Sequence, residues 1–388
     1  MRFYSYFNNA VRIVTEYDGK VPLAAFLKQY FAQDKKYGSK DRKFITHLCY
    51  CYFRLGHALK ELTVEERLKT ALFLSNDSVE DWKVLYDDEW LQHSNENIYL
   101  RIAFIQTKYD FDVTAIFPWQ DQLSEGIDVE KFCLSHLIQP NLFLRIRPGK
   151  KKSVIEKLEK ANISFSEKNE NCLSLKNTTK VDEVLQLNKE VVVQDCSSQR
   201  IKEFFEEVNA DNKKHVNVWD CCAASGGKAI LAVDSFQNIS LTVSDIRSSI
   251  IHNLEKRFKE AGIKKYDSFT ADLTKSYLSH SKYDLVIADV PCSGSGTWSR
   301  TPEQLFFFPE EKIKYYSTLQ RSILPNIVPA VEKKGYLLYI TCSVFKEENE
   351  EMINLLQQQF HLQLIKMKLL KGYDDKADTM FAALLKKM

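Results

Sequence analysis

The second half of the chain predicts an α/β fold built on a mainly parallel, doubly wound sheet. From about residue 191 onward, strand-like apolar runs alternate with amphipathic helical runs, and this alternation is the order that produces parallel sheets. Several of the strand-like runs are apolar throughout, as expected when helices cover both faces of the sheet. The predicted strands are 216–219, 241–244, 268–271, 285–288 and 335–341, and helices are predicted to begin near Gly227, Arg247, Pro309 and Glu347.

The first third of the chain predicts helices. Gly38 and Ser39, followed by Asp41 in the first turn, mark a helix start, and apolar residues then recur at the spacing of one helix face. The residues on this face are Ile45, Leu48, Cys49, Tyr52 and Phe53. Further amphipathic runs cover about residues 4–17, 21–33 and 64–74. A helical bundle with its own core and a bundle that also binds RNA explain this region equally well.

A small α/β module is predicted over residues 137–188. Residues 141–147 alternate like a strand, Pro148 and Gly149 break it, and residues 153–161 resume helical spacing. Five basic residues without an intervening acid occupy the start of this module, and they are Arg145, Arg147, Lys150, Lys151 and Lys152. A solvated charged face is the more common meaning of such a run, and an edge that contacts phosphates is the alternative.

Composition limits the class of protein. The 388 residues are enough for two or three domains, and 44% hydrophobic content supports packed cores. The formal net charge of +2 argues against a general polyanion binder, so affinity for nucleic acid must come from local patches. Nine irregularly spaced cysteines favour reduced thiols over disulfides or a zinc site, and no apolar stretch approaches the roughly 18 residues that span a bilayer. We therefore expect a cytoplasmic protein without a metal.

Polar residues follow the predicted strands at the point where each one ends. They are Asp220, Asp245, Asp272, Asp289 and Cys342. A single aspartate in this position is usually a helix cap or a turn former, but five polar endings on successive strands exceed what turn chemistry requires. Because ligands of open α/β sheets bind at the carboxyl ends of the strands, we expect a binding site there.

A glycine-rich turn after the first of these strands indicates a cofactor. Gly226 and Gly227 let the backbone turn sharply into the helix that carries Lys228. The turn has neither the dinucleotide pattern nor the phosphate-loop pattern, so a bound pyrophosphate is not favoured. Asp245 follows about twenty residues later, where an acidic residue commonly binds ribose hydroxyls. The sequence predicts a ligand with a ribose and without a triphosphate.

Four ordered segments resemble the RsmB/NOP2/Sun family of RNA 5-methylcytosine methyltransferases over about residues 190–388. The segments are Val193–Gln199, Asp220–Lys228, Asp289–Gly296 and Thr341–Ser343 with Glu348–Glu350. Upstream, residues 38–44 and 52–56 more loosely resemble the NusB-like helical RNA-binding domain of the bacterial 16S rRNA members. Two departures stand out: Ser225 replaces the usual proline, and Trp298–Glu303 reads Trp-Ser-Arg-Thr-Pro-Glu in place of the commoner Arg-Arg-His-Pro-Asp stretch.

The resemblance implies a Rossmann-like class I methyltransferase domain at 189–388, preceded by the small module at 137–188 and a NusB-like domain at 1–136. It implies methyl transfer from S-adenosylmethionine to C5 of a cytosine in RNA, most simply ribosomal RNA or a partly assembled small ribosomal subunit, by a monomer. In this family pattern Cys342 attacks C6, Cys292 helps to release the product, and Asp289 binds the base near N3. The implied cofactor-binding residues are Cys222, Ala223, Ala224, Ser225, Gly226, Gly227, Lys228, Asp245, Asp272 and Asp289.

Other interpretations are weaker. Each thiol taken alone is more often an inert small hydrophobe, but the glycine-rich residues around Cys292 and the strand end beside Cys342 argue against a packed core. DNA cytosine-5 methyltransferases use a Pro-Cys nucleophile, which makes Cys292 the attacking residue in that alternative. An RNA-binding assembly factor with an inactive domain and a nicotinamide-dependent oxidoreductase are the remaining classes, and the missing dinucleotide pattern disfavours the latter.

Overall fold

The computed structural model describes residues 2–34, 36–76, 78–211, 213–275 and 281–388. The chain forms two compact units. The first consists of Met1–Asp121, Ile127–Gln139 and Thr297–Glu310, and the second of Gln122–Gly126, Pro140–Gly296 and Glu311–Met388. The boundaries at 136 and 188 inferred from the sequence stay a prediction.

The first unit is helical, as the sequence predicts. Its N-terminal helices are α1 (Arg2–Glu16), α2 (Leu23–Gln33), α3 (Ser39–Arg54), α4 (Val64–Ser75), α5 (Asp88–His93), α6 (Ile98–Gln106) and α7 (Val129–His136). The start of α3 follows the predicted signal, because the backbone N–H of Gly38 donates to the Asp41 carboxylate at 2.8 Å. At α4, Thr63 and Glu66 form a capping box.

The first unit also contains a short helix from far along the chain, Pro302–Phe307. Its Glu303 carboxylate accepts the backbone N–H of Leu23 at 3.3 Å, where α2 begins. The ring of Phe306 packs edge-on against Phe53 of α3, with centroids 5.4 Å apart. This helix is not among those predicted from the sequence.

The small module contains β1 (Leu142–Ile146), α8 (Lys151–Lys160), β2 (Phe165–Asn169), β3 (Cys172–Leu175) and β4 (Val191–Val193). Its four strands form an antiparallel sheet in the order β2-β3-β1-β4. The predicted strand at 141–147 and helix at 153–161 are confirmed.

The basic run of this module is not one exposed face. Arg145 of β1 is buried, Arg147 directly after β1 is half-buried, and both form ion pairs with Asp234, at 2.5 and 2.7 Å. The prediction of a solvated or phosphate-contacting edge is therefore wrong for these two arginines, since strand alternation turns both towards Asp234. Lys151 differs, because its ion pair with Glu167 is exposed.

The remaining elements form the main sheet and its covering helices. They are α9 (Cys196–Gln199), α10 (Lys202–Asn209), β5 (Val216–Asp220), α11 (Gly227–Ser235), β6 (Ile239–Asp245), α12 (Ser248–Glu260), β7 (Asp267–Thr270), β8 (Tyr283–Asp289), α14 (Glu311–Ile327), β9 (Val331–Thr341), α15 (Glu350–Phe360), β10 (Leu362–Leu370) and β11 (Met380–Lys387); the helix Pro302–Phe307 of the first unit is α13. The seven strands lie in the order β10-β11-β9-β8-β5-β6-β7.

Five neighbouring strands of this sheet, from β9 to β7, are parallel, and β11 and β10 add an antiparallel edge. Apolar cores lie on both faces: one includes Phe204, Phe258 and Leu338, and the other includes Trp219 and Tyr339. This two-sided burial explains the uninterrupted apolar runs and confirms the predicted α/β class. Among the described residues, no helix is both long enough and apolar enough to cross a membrane.

Candidate active site

The polar residues predicted at the strand ends meet along one edge of the main sheet. Asp220, Asp245 and Asp289 are the last residues of β5, β6 and β8. Cys342 directly follows β9, and Asp272 lies two residues beyond β7. Because these strands are parallel neighbours, their carboxyl ends share an edge, which is where α/β sheets bind ligands.

A cavity of about 520 Å³ opens at this edge. Five of the predicted site residues line it, and they are Cys222, Ala224, Asp245, Asp272 and Asp289. The other lining residues are Cys221, Ile246, Arg247, Ala271, Leu273, Thr274, Pro291, Tyr315, Leu319 and Ile323. Ala223, Ser225, Gly226, Gly227 and Lys228 belong to the adjoining turn and the start of α11.

The turn after β5 requires glycine, and hydrogen bonds from helix α12 hold it in place. Gly226 has a φ of +79°, and a Cβ there would lie 2.8 Å from the ring of Phe258. Arg257 of α12 donates to the carbonyl oxygen of Ser225 at 3.0 Å and to its hydroxyl at 2.8 Å. At Ser225, where the resemblance leads us to expect proline, a guanidinium therefore fixes the turn.

Asp245 and Asp272 have different surroundings. The Asp245 carboxylate accepts the backbone N–H groups of Ala224 and Arg247 at 3.2 and 3.0 Å and also the Arg247 side chain at 3.2 Å. Asp272 accepts the hydroxyl of Thr274 at 2.6 Å and its N–H at 3.1 Å, and these bonds hold the pKa of Asp272 below its usual value. Asp272 thus forms an ordinary turn as well as lining the cavity.

The cavity lining fits an adenosine-bearing ligand. Ile246 is 56% exposed although it is apolar and lies directly beside the Asp245 carboxylate. An exposed apolar side chain next to an acceptor suits a nucleoside, whose ring needs an apolar surface and whose ribose hydroxyls need a carboxylate. The same edge holds more than one carboxylate, which suits a cationic sulfonium. The residues present therefore fit S-adenosylmethionine.

Three charged side chains lie at the inner part of this edge. The Lys228 ammonium contacts Asp289 Oδ2 at 2.6 Å. Burial alone would lower the pKa of Lys228, but the charges of Asp289 and Cys342 raise it above the usual value. Asp220 is buried, and neither of its oxygens has a hydrogen-bond partner in the described part of the chain. Burial, together with the nearby charge of Asp289, raises the pKa of Asp220 to about 7.

The two predicted catalytic thiols come together from separate loops. The backbone N–H of Cys342 donates to Cys292 Sγ at 3.3 Å. The hydrogen bond with the Cys342 side chain, burial, and the charges of Cys342 and Glu348 together raise the pKa of Cys292 well above its usual value. All nine cysteines are free, and among the described residues no group of histidines, cysteines and carboxylates has the arrangement of a metal site.

Sequence reasoning missed part of the lining. Tyr315, Leu319 and Ile323 recur every four residues on α14 and form one wall of the cavity, and the Tyr315 ring is 60% exposed. The spacing was visible in the sequence, but the side of the helix that faces the cavity was not. Arg247 was missed as well, because an arginine at a helix start has no distinctive local pattern.

The strand order, with a cavity at the carboxyl edge of the parallel strands, is that of a Rossmann-like fold. The crystal structure of PH0851 has this fold, with a TM-score of 0.70 and 22% identity over 100% of this chain and 98% of its own. The structure of NSun6 from Pyrococcus horikoshii, determined with SFG, has a TM-score of 0.57 and 13% identity over 67% of this chain and 94% of its own.

Sequence comparisons find similarity to ribosomal RNA methyltransferases. Residues 207–384, somewhat less than half of the chain, match the model of the 16S rRNA methyltransferase RsmB/F family. A probable ribosomal RNA small subunit methyltransferase B of Bacillus subtilis is 28% identical over 59% of this chain and 52% of its own length. The ribosomal RNA small subunit methyltransferase B of Enterobacter sp. strain 638 is 30% identical over 42% and 37%, respectively. The chain thus spans about half the length, or less, of these curated relatives.

Proposed function

We propose that this chain transfers a methyl group from S-adenosylmethionine to C5 of a cytosine in RNA, with 16S ribosomal RNA as the substrate. The reaction passes through a covalent adduct between Cys342 and C6 of the base. The observation that carries this proposal is the meeting of Cys292 and Cys342 beside the Lys228–Asp289 pair. Two thiols, an ammonium and a carboxylate at one sheet edge are the groups that covalent methylation of a pyrimidine needs.

The cofactor is proposed to lie in the cavity at the ends of β5, β6 and β7. Its ribose is assigned to Asp245 and its adenine to the side of the cavity formed by Ile246 and Asp272. When bound, S-adenosylmethionine supplies a methyl carbon activated by a sulfonium. The residues proposed to hold it are Cys222, Ala223, Ala224, Ser225, Gly226, Gly227, Lys228, Asp245, Asp272 and Asp289.

The chain's own residues make C5 reactive. C5 of cytosine is a poor nucleophile, so the Cys342 sulfur first bonds to C6, and the C5–C6 electron pair becomes available at C5. Lys228 holds Asp289 Oδ2 at 2.6 Å. As negative charge develops on the ring, Asp289 is proposed to pass a proton from the Lys228 ammonium to N3, and this proton returns when the product is released. After C5 has taken the methyl group, the C5 proton must leave and the C6–S bond must break, which returns its electron pair to Cys342.

Cys292 is proposed to take the C5 proton. Its hydrogen bond with Cys342 is the largest cause of its raised pKa, and the negative charge of Cys342 adds to the effect. Once Cys342 is bonded to C6 it is an uncharged thioether, so both contributions fall away. Cys292 then ionises more readily than in the resting enzyme, at the stage when a base is required.

A target cytosine inside a duplex is out of reach of these thiols, so the substrate base must be unpaired or extruded from its stack. We assign recognition of the surrounding RNA to the helical domain at 1–136 and the module at 137–188, and catalysis to 189–388. The substrate is ribosomal RNA or a partly assembled small ribosomal subunit, and the enzyme acts as a monomer.

The test compares cysteine variants with a 16S rRNA fragment and S-adenosylmethionine. Cys342→Ala should form no protein–RNA adduct and no 5-methylcytosine, whereas Cys292→Ala should accumulate an adduct that survives denaturing electrophoresis. Cys133→Ala, which changes a buried thiol of α7, is the control and should behave like the wild type. Bisulfite mapping identifies the modified cytosine. Methylation at the normal rate by Cys342→Ser, or an adduct that depends on Cys292 alone, contradicts the proposal.

A further inference from the structure

A buried carboxylate connects the two cysteine loops. Glu348 is fully buried, and its Oε2 accepts the backbone N–H of Ser293 at 2.9 Å. Its Oε1 accepts the hydroxyl of Ser343 at 2.6 Å. These serines are the residues that directly follow Cys292 and Cys342. One side chain thus holds the residue next to each thiol.

We propose that Glu348 is a positioning residue that fixes the spacing of the two thiols and, through its charge, disfavours ionisation of Cys292. The inference rests on the proposed function in taking both thiols as part of the reaction. It adds a physical reason why two neighbouring cysteines have different roles.

Several hydrogen bonds, which form one network, connect the Cys292 loop with the Cys342 loop. The hydroxyl of Ser293 lies 3.1 Å from that of Ser343 and 3.0 Å from that of Ser295. The Ser295 hydroxyl in turn accepts the backbone N–H of Val344 at 2.9 Å. Gly296 also joins the two cysteine loops, since its N–H donates to the carbonyl oxygen of Cys342 at 2.9 Å. Glu348 is the charged member at the centre of this network.

The donors around Glu348 indicate that it carries a negative charge. Gln320 Nε2 donates to the Pro291 carbonyl oxygen at 3.1 Å and to Glu348 Oε2 at 3.0 Å. The Pro291 carbonyl oxygen can only accept, which fixes the orientation of the amide, and the Tyr339 hydroxyl lies 3.0 Å from Gln320 Oε1. Glu348 Oε2 therefore receives two obligate donors and has no place for a proton. Burial raises the pKa of Glu348, and the bonds from Ser293, Ser343 and Gln320 oppose that rise.

The charged side chains nearest to the two thiols are of opposite sign. Glu348 acts on Cys292, and Lys228 acts on Cys342. A carboxylate disfavours ionisation of a neighbouring thiol, and an ammonium favours it. The titratable groups facing Cys292 are Cys342, Glu348, Tyr316 and Tyr339, and those facing Cys342 are Cys292 and Lys228, with Asp289 bound to Lys228. Among the groups around Cys292, Glu348 is the only carboxylate in the described part of the chain.

The experiment measures the alkylation rate of each cysteine in the ligand-free protein with iodoacetamide between pH 7 and 9, read by peptide mass spectrometry. The key variant is Glu348→Gln, since the glutamine oxygen can accept from Ser293 and Gln320 and its amide can donate to Ser343. The matched control is Glu350→Gln, whose carboxylate bonds Ser124 and Glu125 instead.

In the wild type and in Glu350→Gln, Cys342 should react and Cys292 should react slowly. In Glu348→Gln, the Cys292 rate should rise about tenfold for each pKa unit that is relieved. Glu348→Asp keeps the negative charge on a side chain that is shorter by one methylene group. Alkylation of Cys292 should therefore stay slow, while adduct formation with RNA should fall. The inference is overturned if Glu348→Gln stays within twofold of Glu350→Gln, or if Glu348→Asp exposes Cys292 as strongly as Glu348→Gln.

A second measurement guards against a variant that does not fold. Affinity for S-adenosylhomocysteine and the thermal unfolding midpoint should match the wild type in each variant whose labelling is interpreted. If Glu348→Gln fails both, Glu348→Asp decides, because a Cys292 rate more than twofold above that of Glu350→Gln overturns the inference. Labelling uses neither RNA nor methyl donor. A negative labelling result therefore leaves the proposed function standing, and a failure of RNA methylation leaves the labelling result standing.

Discussion

Replacing Asp220 with asparagine should make the protein more stable at pH 8 and leave its stability at pH 4 nearly unchanged. The folded protein holds this carboxyl at a pKa of about 7, against 3.8 ordinarily, because burial and the nearby charge of Asp289 outweigh the opposing charge of Lys228. The difference is 7 − 3.8, or about 3 units, and each unit is worth about 1.4 kcal/mol. The native state therefore pays up to about 4 kcal/mol for this group at high pH.

The direction in which stability changes with pH follows from proton binding. Between pH 4 and pH 7 the folded chain keeps a proton on Asp220 that the unfolded chain has lost, so stability falls as the pH rises through this window. Asp220→Asn has no proton to lose, and the penalty disappears. Urea unfolding of both proteins at pH 4.5, 6 and 8 gives the difference directly. A gain below about 1.5 kcal/mol at pH 8, or a gain that does not grow with pH, refutes the reasoning.

Two further predictions concern the basic run of the small module. Asp234→Ala should cost about 3–5 kcal/mol in urea unfolding, because it removes the carboxylate that pairs with the buried Arg145 and the half-buried Arg147. Glu167→Ala breaks only the exposed pair with Lys151 and should cost less than about 1 kcal/mol, and equal costs contradict the burial of the Asp234 pairs. Changing Lys150, Lys151 and Lys152 to glutamate should weaken binding of an rRNA fragment and flatten its dependence on salt, and an unchanged affinity identifies these lysines as a solvated face.

The sequence best predicted those strands of the main sheet that are buried on both faces. Strands β5, β6, β8 and β9 were predicted to within a few residues, since each is an apolar run that ends at a charged or thiol-bearing residue. The polar residues at the ends of these strands also predicted the sheet edge at which the cavity lies. Helix α15 begins at Glu350, three residues later than predicted at Glu347, because Glu348 and Asn349 bond to the preceding loops and are not free to join the helix.

Long-range partners explain what the sequence did not predict. Arg145 and Arg147 look exposed by local composition, and their ion-pair partner Asp234 lies nearly ninety positions away in the sequence. Gln320 and Tyr339 hold Glu348 from elements outside its own segment, so its central position had no local signal beyond the resemblance of Glu348–Glu350. Local patterns therefore predicted the elements, and the contacts between distant segments decided the roles of individual side chains.

Helix α13 leads to a final prediction about folding. Trp298 and Leu305 are fully buried in the helical unit, and Phe306 packs against Phe53. Removing these three side chains costs at least about 8 kcal/mol by the usual large-to-small values, within the total of about 5–15 kcal/mol for a domain. A fragment of residues 1–139 should therefore lack cooperative unfolding, and adding residues 297–310 as a peptide should restore it. Cooperative thermal unfolding of the fragment alone, followed by near-ultraviolet circular dichroism, would show instead that α13 is dispensable and that the helical unit folds without a segment that follows the Cys292 loop.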